Sequence, residues 1–297
     1  MSYFPRPGGF VQSLRLRRRA LPGNVPIVVV EGTTDRSAIF PFLESNVVVI
    51  PGNGKDQVLR AFSDLEPSLR HGVLFIVDCD GGVDPFFKGH LELVISANRD
   101  IEADLLFELG ALERVALSIL STVAANPQDA VETAHSLLVS ASMVAVGFGV
   151  IRTAAQSASL PVRVLDARTG LRRRLTVFDA PSVVGAPVHD SAEAVAELLR
   201  EMGSLLKWSG SDQTSVAELT HQILRTPCTL HGSSTCLVCQ QNRYCGGHDL
   251  VESLSLFLRI RHNIRLPASD LDRDLRIAAD RSRLSSWRVV QRGRSAR

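Results

Sequence analysis

Two short, continuous apolar runs that end in carboxylates constrain the fold of this chain more than any other feature. The run over 26–30 is followed by Glu31, and the run over 73–77 is followed by Asp78 and Asp80. Runs of this length without polar alternation predict strands buried on both faces, as in a parallel sheet covered by helices. Ligands of such sheets bind beyond the carboxyl ends of the strands, and carboxylate oxygens suit a hard divalent cation. The sequence therefore predicts an α/β fold with a metal site where these strands end.

Strands and helices alternate with short connections over residues 25–110, which is typical of a parallel, Rossmann-like sheet flanked by helices. Beyond this region the pattern becomes mostly helical, with a break at Asn126-Pro127 and a β-hairpin over 162–178. We predict strands at 26–30, 47–50, 73–77 and 91–95, and later helices at 191–207, 212–225, 249–260 and 269–284.

Composition sets broad limits on the 297-residue chain. Its formal net charge of +2 excludes no class of partner, although arginines crowd both ends. Basic tails can follow a phosphate backbone, and solvated ends explain them equally well.

We see neither an apolar run near membrane-spanning length nor a secretory signal pattern, so we expect a soluble cytoplasmic protein with no membrane partner. We expect a flexible basic leader over 1–24, a catalytic domain over 25–110 and a mainly helical region over 111–297.

The chemistry of the strand ends depends on how many carboxylates meet there. Asp78 and Asp80 are two residues apart on an extended segment, and Asp35 lies one helical turn beyond Glu31. Several carboxylates without a cation repel one another, so Mg²⁺ or Mn²⁺ is the natural compensation. Metals held in this way support phosphoryl transfer by activating water and stabilising the leaving oxygen. The alternative is that Glu-Gly and Asp-Gly merely end strands in turns.

A glycine-rich turn, Gly52-Asn53-Gly54-Lys55, connects the second predicted strand to a helix. Backbone N–H groups at a helix N-terminus can cradle a phosphate, with Lys55 as a point charge. The turn lacks the spacing of a P-loop, so we expect no ATPase activity. A connecting turn without a ligand is the competing interpretation.

Four of the five cysteines fall between positions 228 and 245, close to two histidines. Inside a cell this density indicates metal binding rather than disulfides, and it suits tetrahedral Zn²⁺. A structural zinc in a loop over 228–248 would use four of these residues, and thiols without a metal are the alternative. The candidate zinc ligands are Cys228, His231, Cys236, Cys239 and Cys245.

Further motifs make a resemblance to a known family specific. Glu31 within Val-Glu-Gly-Thr-Thr-Asp and the segment Asp78-Cys79-Asp80-Gly81 resemble the Glu and Asp-x-Asp motifs of the TOPRIM fold. The turn at 52–55 and the segments at 99–102 and 246–250 resemble the stand-alone TOPRIM nucleases of bacterial phage defence. That family is related to the overcoming-lysogenization-defect nucleases and includes the nuclease subunit of the PARIS system. The TOPRIM likeness covers about 26–110, and the looser likeness spans most of the chain.

The resemblance implies roles for individual residues. Glu31 would be a metal ligand or general acid/base, and Asp78 and Asp80 would be metal ligands. Asp35 and Glu102 would support a second metal or orient water. A first-turn carboxylate such as Glu102 also favours a helix dipole with no metal at all, and Asp100 in the same segment can be the helix cap.

The resemblance further implies a metal-dependent endonuclease that acts on DNA or RNA, including tRNA, as a toxic effector of anti-phage defence. An associated ABC-type ATPase would hold it inactive, and a homodimer is left open. A topoisomerase is disfavoured, because strand passage needs a tyrosine nucleophile and the chain offers only Tyr3 and Tyr244. The alternative function is a non-catalytic TOPRIM-like module that binds nucleic acid or protein and contains a structural zinc.

Overall fold

The computed structural model describes most of the chain, namely residues 9–43, 45–79, 84–87, 89–96, 98–108, 110–160, 209–225 and 244–279. The chain divides into two compact units. The first comprises the chain up to Leu109 together with residues from Ala279 onward, and the second runs from Gly110 to Ala278. The expected β-hairpin at 162–178 and helix at 191–207 lie outside the described residues.

Among the described residues, the first unit is built on a four-stranded parallel sheet in the order β2-β1-β3-β4. The strands are β1 (Ile27–Val30), β2 (Val48–Pro51), β3 (Val73–Val77) and β4 (Leu93–Ile95). Every residue of the two central strands, β1 and β3, is buried. Burial on both faces is why these strands appear in the sequence as unbroken apolar runs. The predicted α/β fold with a parallel sheet is confirmed.

Helices follow the strands and pack on the sheet. They are α2 (Thr33–Ile39), α3 (Lys55–Asp64), α4 (Pro67–Arg70) and α5 (Ile101–Glu108), with 3-10 turns at Phe40–Phe42 and Pro85–Phe87. α3 packs on β3 through Phe62, whose ring meets Phe75 edge-on with 5.5 Å between centroids. α2 packs on both β1 and α5. The segments that follow β1 and β4 are therefore brought together.

The N-terminal segment corrects the expectation of a flexible leader over 1–24. Residues Gly9–Ala20 form a helix, α1, which packs on α3. The guanidinium of Arg18 is enclosed and donates to the carbonyl oxygens of Gly23 at 2.8 Å and Val25 at 3.0 Å. The arginine run is thus the last turn of a helix, where basic side chains favour the dipole. The face of α1 that enters the core of the unit carries Phe10, Val11 and Leu14.

The second unit is helical in its described residues. Its helices are α6 (Ala111–Leu120), α7 (Pro127–Ser157), α8 (Gly210–Arg225), α9 (Gly247–His262) and α10 (Ala268–Ala278). α7 packs on α6, α8 and α9. It begins at the predicted break, because the Asn126 side chain accepts a hydrogen bond from the Asp129 N–H at 2.9 Å and Pro127 takes the first helical position.

α7 also corrects the expectation that no run approaches membrane-spanning length. By length and composition this helix could cross a bilayer. In this unit 76 % of its most apolar window is buried inside the protein, as in the central helix of a bundle. The run is easily overlooked in the sequence because small and polar residues such as Ser140, Ser142 and Gly147 interrupt it.

Candidate functional site

The carboxyl ends of β1 and β3 meet at the point where the strand order reverses. The chain leaves β1 for β2 on one side and then crosses to β3 on the other side. In open α/β sheets this switch point forms a crevice in which ligands bind. Glu31 directly follows β1, and Asp78 directly follows β3. Two predicted site residues therefore lie where such sheets bind their ligands.

Glu31 contacts the end of the neighbouring strand. Its Oε1 accepts a hydrogen bond from the backbone N–H of Asp78 at 2.7 Å. Its carbonyl oxygen accepts another from the N–H of Gly54 at 2.8 Å. Both the side chain and the backbone of Glu31 are therefore held in place, and the predicted proximity of Glu31 and Asp78 is confirmed.

Asp78 lies at the N-terminus of α5. Its Oδ1 accepts a hydrogen bond at 3.1 Å from the N–H of Ile101, the first residue of that helix. Asp100 caps the same helix, since its Oδ1 accepts from the Ala103 N–H at 2.7 Å. The interpretation of Asp100 as a cap is confirmed. Two carboxylates thus share one helix N-terminus, where the dipole favours negative charge.

Asp35 and Glu102 approach from α2 and α5, the helices that pack together. Their exposed fractions are only 5 % and 6 %. Asp35 Oδ2 accepts a hydrogen bond from the Gly32 N–H at 2.6 Å, which also caps the start of α2. Both carboxylates act electrostatically on Asp78. Asp35 and Glu102 therefore lie near enough to Asp78 to influence its carboxyl, and their predicted roles beside a metal stay predictions.

The crowding of negative charge is strongest at Asp78. Burial raises the pKa of its carboxyl to about 10, and the charges of Asp100, Glu31, Asp35 and Glu102 add to the effect in that order. Desolvation and like charges both disfavour the ionised form of an acid. The Asp78 carboxyl therefore keeps its proton at neutral pH unless a cation compensates the charges around it.

The donor chemistry of this group fits a hard divalent cation. Carboxylate oxygens are the ligands that Mg²⁺ and Mn²⁺ prefer, and crowded like charges are what such an ion neutralises. Among the residues that the structure describes, no three His, Cys, Asp or Glu side chains are close enough together to hold a metal ion. Asp80, the third predicted ligand, lies outside them. Glu31 and Asp78 are the described residues that would hold the ion, and Asp80 is expected to join them.

Lys55 reaches the same segment from α3. Its Nζ donates to the carbonyl oxygen of Cys79 at 3.3 Å. Two glycines shape the turn before it: Gly54 has a φ of 111°, and a β-carbon at Gly52 would lie 2.5 Å from Val58. A side chain would be strained at the first position and obstructed at the second. The phosphate-binding role of Lys55 stays a prediction.

A buried network that sequence reasoning missed holds the residue after Asp78. The Ser96 hydroxyl accepts from the Cys79 N–H and donates to the Asn98 carbonyl oxygen, both at 2.8 Å. Asp104 Oδ1 in turn accepts from the backbone and side-chain N–H groups of Asn98, both at 2.7 Å. These side chains are almost fully buried. The available signal was the position of Ser96 directly after β4, at the same edge of the sheet as Glu31 and Asp78.

Of the predicted zinc ligands, the structure describes Cys245. It is fully buried and precedes Gly246, the N-cap of α9. His248 lies exposed in the first turn of that helix. The zinc site stays a prediction, because the other candidates, Cys228, His231, Cys236 and Cys239, lie outside the described residues.

Comparison with known proteins does not identify a family, since no protein-family model and no curated protein matches the chain. The residues at the switch point therefore carry the functional conclusion.

Proposed function

We propose that this protein is a metal-dependent endonuclease of TOPRIM type, which hydrolyses phosphodiester bonds in DNA or RNA. The observation that carries the proposal is the convergence of five carboxylates at the switch point of a parallel sheet. Ionisable groups whose pKa values are shifted by burial and by neighbouring charges, in a crevice where ligands bind, are common in catalytic sites. These acidic side chains come from three segments of the chain, at 31–35, 78 and 100–102.

Each residue has a distinct task in the proposed reaction. Glu31, Asp78 and Asp80 would hold a divalent ion, which would supply an activated water and stabilise the leaving oxygen. Glu31 is fixed by the Asp78 N–H and is therefore oriented to accept a proton from the attacking water. Lys55, held at the Cys79 carbonyl oxygen, brings a positive charge to the substrate phosphate.

The direct test is cleavage by the purified chain after dialysis has removed free Mg²⁺ and Mn²⁺. Labelled RNA, total tRNA, single-stranded DNA and duplex DNA are each incubated with and without added Mg²⁺ or Mn²⁺. We expect metal-dependent cleavage of at least one substrate. Glu31→Gln should lower the rate by about 10²–10⁴-fold, which is the usual contribution of a positioned acid or base.

A matched control removes a carboxylate from the exposed end of α3. Asp64→Asn changes the same kind of group roughly 14 Å along the helix from Lys55, and we expect wild-type cleavage from it. Expression of both variants in cells, with DNA and tRNA examined for breaks, repeats the comparison under native conditions. Cleavage by Glu31→Gln at the wild-type rate would refute the mechanism.

The resemblance to defence nucleases extends the proposal to regulation. We propose that the chain is a toxic effector whose activity is held in check by an ABC-type ATPase. Affinity capture of the chain from a host that carries neighbouring defence genes should recover an ATPase, and adding that ATPase to the purified chain should inhibit cleavage. Recovery of the chain alone would remove this part of the proposal without affecting the nuclease site.

We also propose a structural zinc in the cysteine-rich segment. Metal analysis of the purified chain should find zinc, and Cys236→Ser should lower both its zinc content and its melting temperature. The control is Cys79→Ser, which changes a thiol outside the cluster. Zinc content that is unchanged by Cys236→Ser would contradict the proposal.

A second candidate function is a non-catalytic binding module. It is favoured because two of the five carboxylates, Asp35 and Asp100, accept hydrogen bonds from backbone N–H groups at the starts of α2 and α5, which is a structural role. This alternative predicts nucleic-acid or protein binding that persists in a chelator, together with no cleavage under any metal condition.

A further inference from the structure

An open groove of about 450 Å³ lies at the C-terminal end of α9, in the second unit. Arg259, Asn263 and Arg265 line it together with Ser255 and Glu252. This volume falls in the range of small-ligand sites and admits a phosphate with its sugar.

Hydrogen bonds fix the walls of the groove. α9 ends at Asn263, which has a left-handed backbone (φ 54°) and donates its N–H to the Arg259 carbonyl oxygen at 3.1 Å. The following segment is tied back to the helix, because the Ser255 hydroxyl donates to the Leu266 carbonyl oxygen at 2.6 Å. Arg265 therefore lies on a short segment that is anchored on both sides.

The arginines of the groove differ from those of the neighbouring helix α10. Arg276 pairs there with Asp272 at 3.0 Å, and Arg273 pairs with Asp270 at 3.4 Å. Arg259 and Arg265 are both exposed, and neither forms an ion pair with another described residue. The chain therefore neutralises the arginines of α10 and leaves those of the groove available to a ligand.

Other charged groups do not cancel this positive charge. Glu252 already has an interaction partner, and the two groove arginines outnumber it. A helix C-terminus attracts basic side chains by itself, but Arg265 lies beyond the helix, so the dipole does not explain it.

We propose that this groove binds a phosphate of the nucleic-acid backbone. The identity of the ligand rests on the proposed function. A guanidinium offers a planar fork of N–H donors that matches two phosphate oxygens, and the groove presents two such groups beside the polar side chain of Asn263. Contacts of this kind fix the position of a nucleic acid without reading its sequence.

The test is equilibrium binding of fluorescent RNA and duplex DNA to the full chain. Every protein carries Glu31→Gln and is kept free of added Mg²⁺ and Mn²⁺, so that binding is measured without cleavage. The double variant Arg259→Gln, Arg265→Gln should bind about tenfold more weakly at physiological salt. Its slope of log affinity against log salt should be smaller by about 0.7–0.9, as expected for the loss of one neutralised phosphate.

The matched control, Arg273→Gln, Arg276→Gln, removes the same charge from α10 and should bind like the parent protein. Thermal unfolding verifies the fold of each variant, and Arg265→Lys offers a milder change that keeps the charge but loses the fork. Equal affinity of the groove variant and the control would overturn the proposal. So would a groove variant that loses only the binding of inorganic phosphate or adenosine monophosphate, since the ligand would then be a free phosphate. Because no cleavage is scored, failure of the nuclease proposal does not change these outcomes.

Discussion

The two units treat buried charge in opposite ways. In the second unit, Arg152 on α7 pairs directly with Asp249 on α9, and the two side chains are only 18 % and 6 % exposed. In the first unit, Asp78 lies among like charges, and burial and these charges raise its pKa to about 10. One unit buries a matched pair, and the other gathers carboxylates around a single acid.

The difference distinguishes a structural role of buried charge from a functional one. A matched pair holds two helices in one arrangement, because removal of either partner leaves a buried charge alone. A crowded group of carboxylates destabilises a fold, and such strain is characteristic of sites where a ligand or a reaction uses it. We therefore place the proposed reaction in the first unit and treat the pair in the second unit as part of its framework.

Breaking the matched pair should have the largest effect on stability. Asp249→Asn leaves the Arg152 guanidinium buried without a counter-charge, so we expect the free energy of unfolding to fall by about 3–5 kcal/mol. Urea unfolding followed by circular dichroism measures the loss, and hydrogen exchange in α7 and α9 locates it. The double variant Arg152→Met, Asp249→Leu should recover most of the stability, since it removes both charges. Wild-type stability in Asp249→Asn would show that the pair is not part of the framework.

Adding a metal should stabilise the first unit and leave the stability of the second unit unchanged. An ion that binds the folded carboxylate group and not the unfolded chain stabilises the protein by about 2.7 kcal/mol at a hundred times its Kd. We expect Mg²⁺ to slow hydrogen exchange in β1 and β3 while α7 and α9 stay unchanged. Glu31→Gln should lose this response. Equal protection of both units, or protection that survives in Glu31→Gln, would argue against a metal at the switch point.

Neutralising Asp78 should stabilise the metal-free protein while abolishing cleavage. The pKa of Asp78 is raised from 3.8 to about 10 on folding, so between these values the folded state retains a proton that the unfolded state releases. This carboxyl therefore makes metal-free stability fall as pH rises through that window. We expect Asp78→Asn to raise the free energy of unfolding at neutral pH by roughly 1–2 kcal/mol. Urea unfolding without added Mg²⁺ or Mn²⁺ at several pH values should show that the gain in the free energy of unfolding of Asp78→Asn over wild type grows with pH. A gain that shrinks with pH would contradict the raised pKa of Asp78.

The smallest effect is expected at a solvated ion pair. Arg273 and Asp270 lie 3.4 Å apart on α10, with 63 % and 43 % of their side chains exposed. Asp270→Asn should change the free energy of unfolding by at most about 1 kcal/mol, because water screens the pair. The same urea experiment measures it, and it serves as the control for Asp249→Asn because the chemical change is identical. A loss as large as that of Asp249→Asn would mean that burial does not govern the difference.

The central strands could be predicted from sequence because burial on both faces leaves an unbroken apolar run. β3 spans the predicted 73–77, and the other strands lie within a few residues of their predicted bounds. The N-terminal helix escaped prediction because its arginines suggested a tail, whereas Phe10, Val11 and Leu14 carry the packing. α7 was underestimated because its apolar character is spread over small residues.

The site was predictable where its residues follow strands directly. Glu31 and Asp78 could be paired in advance because the ends of adjacent parallel strands share one edge of a sheet. The network of Ser96, Asn98 and Asp104 was harder to predict, because its one signal in the sequence is a single serine directly after a strand. Its role appears only when β4 lies beside β3.

By itself, the sequence determined the α/β class, the central strands and the carboxylates at their ends, since these follow from local runs and immediate neighbours along the chain. Only the tertiary structure decided the strand order, the grouping of α2 with α5 around Asp78, and the pairing of Arg152 with Asp249. The physical reason is that burial and electrostatic repulsion depend on distances between segments remote in sequence. A pKa near 10 and a buried ion pair exist only once those segments have packed together.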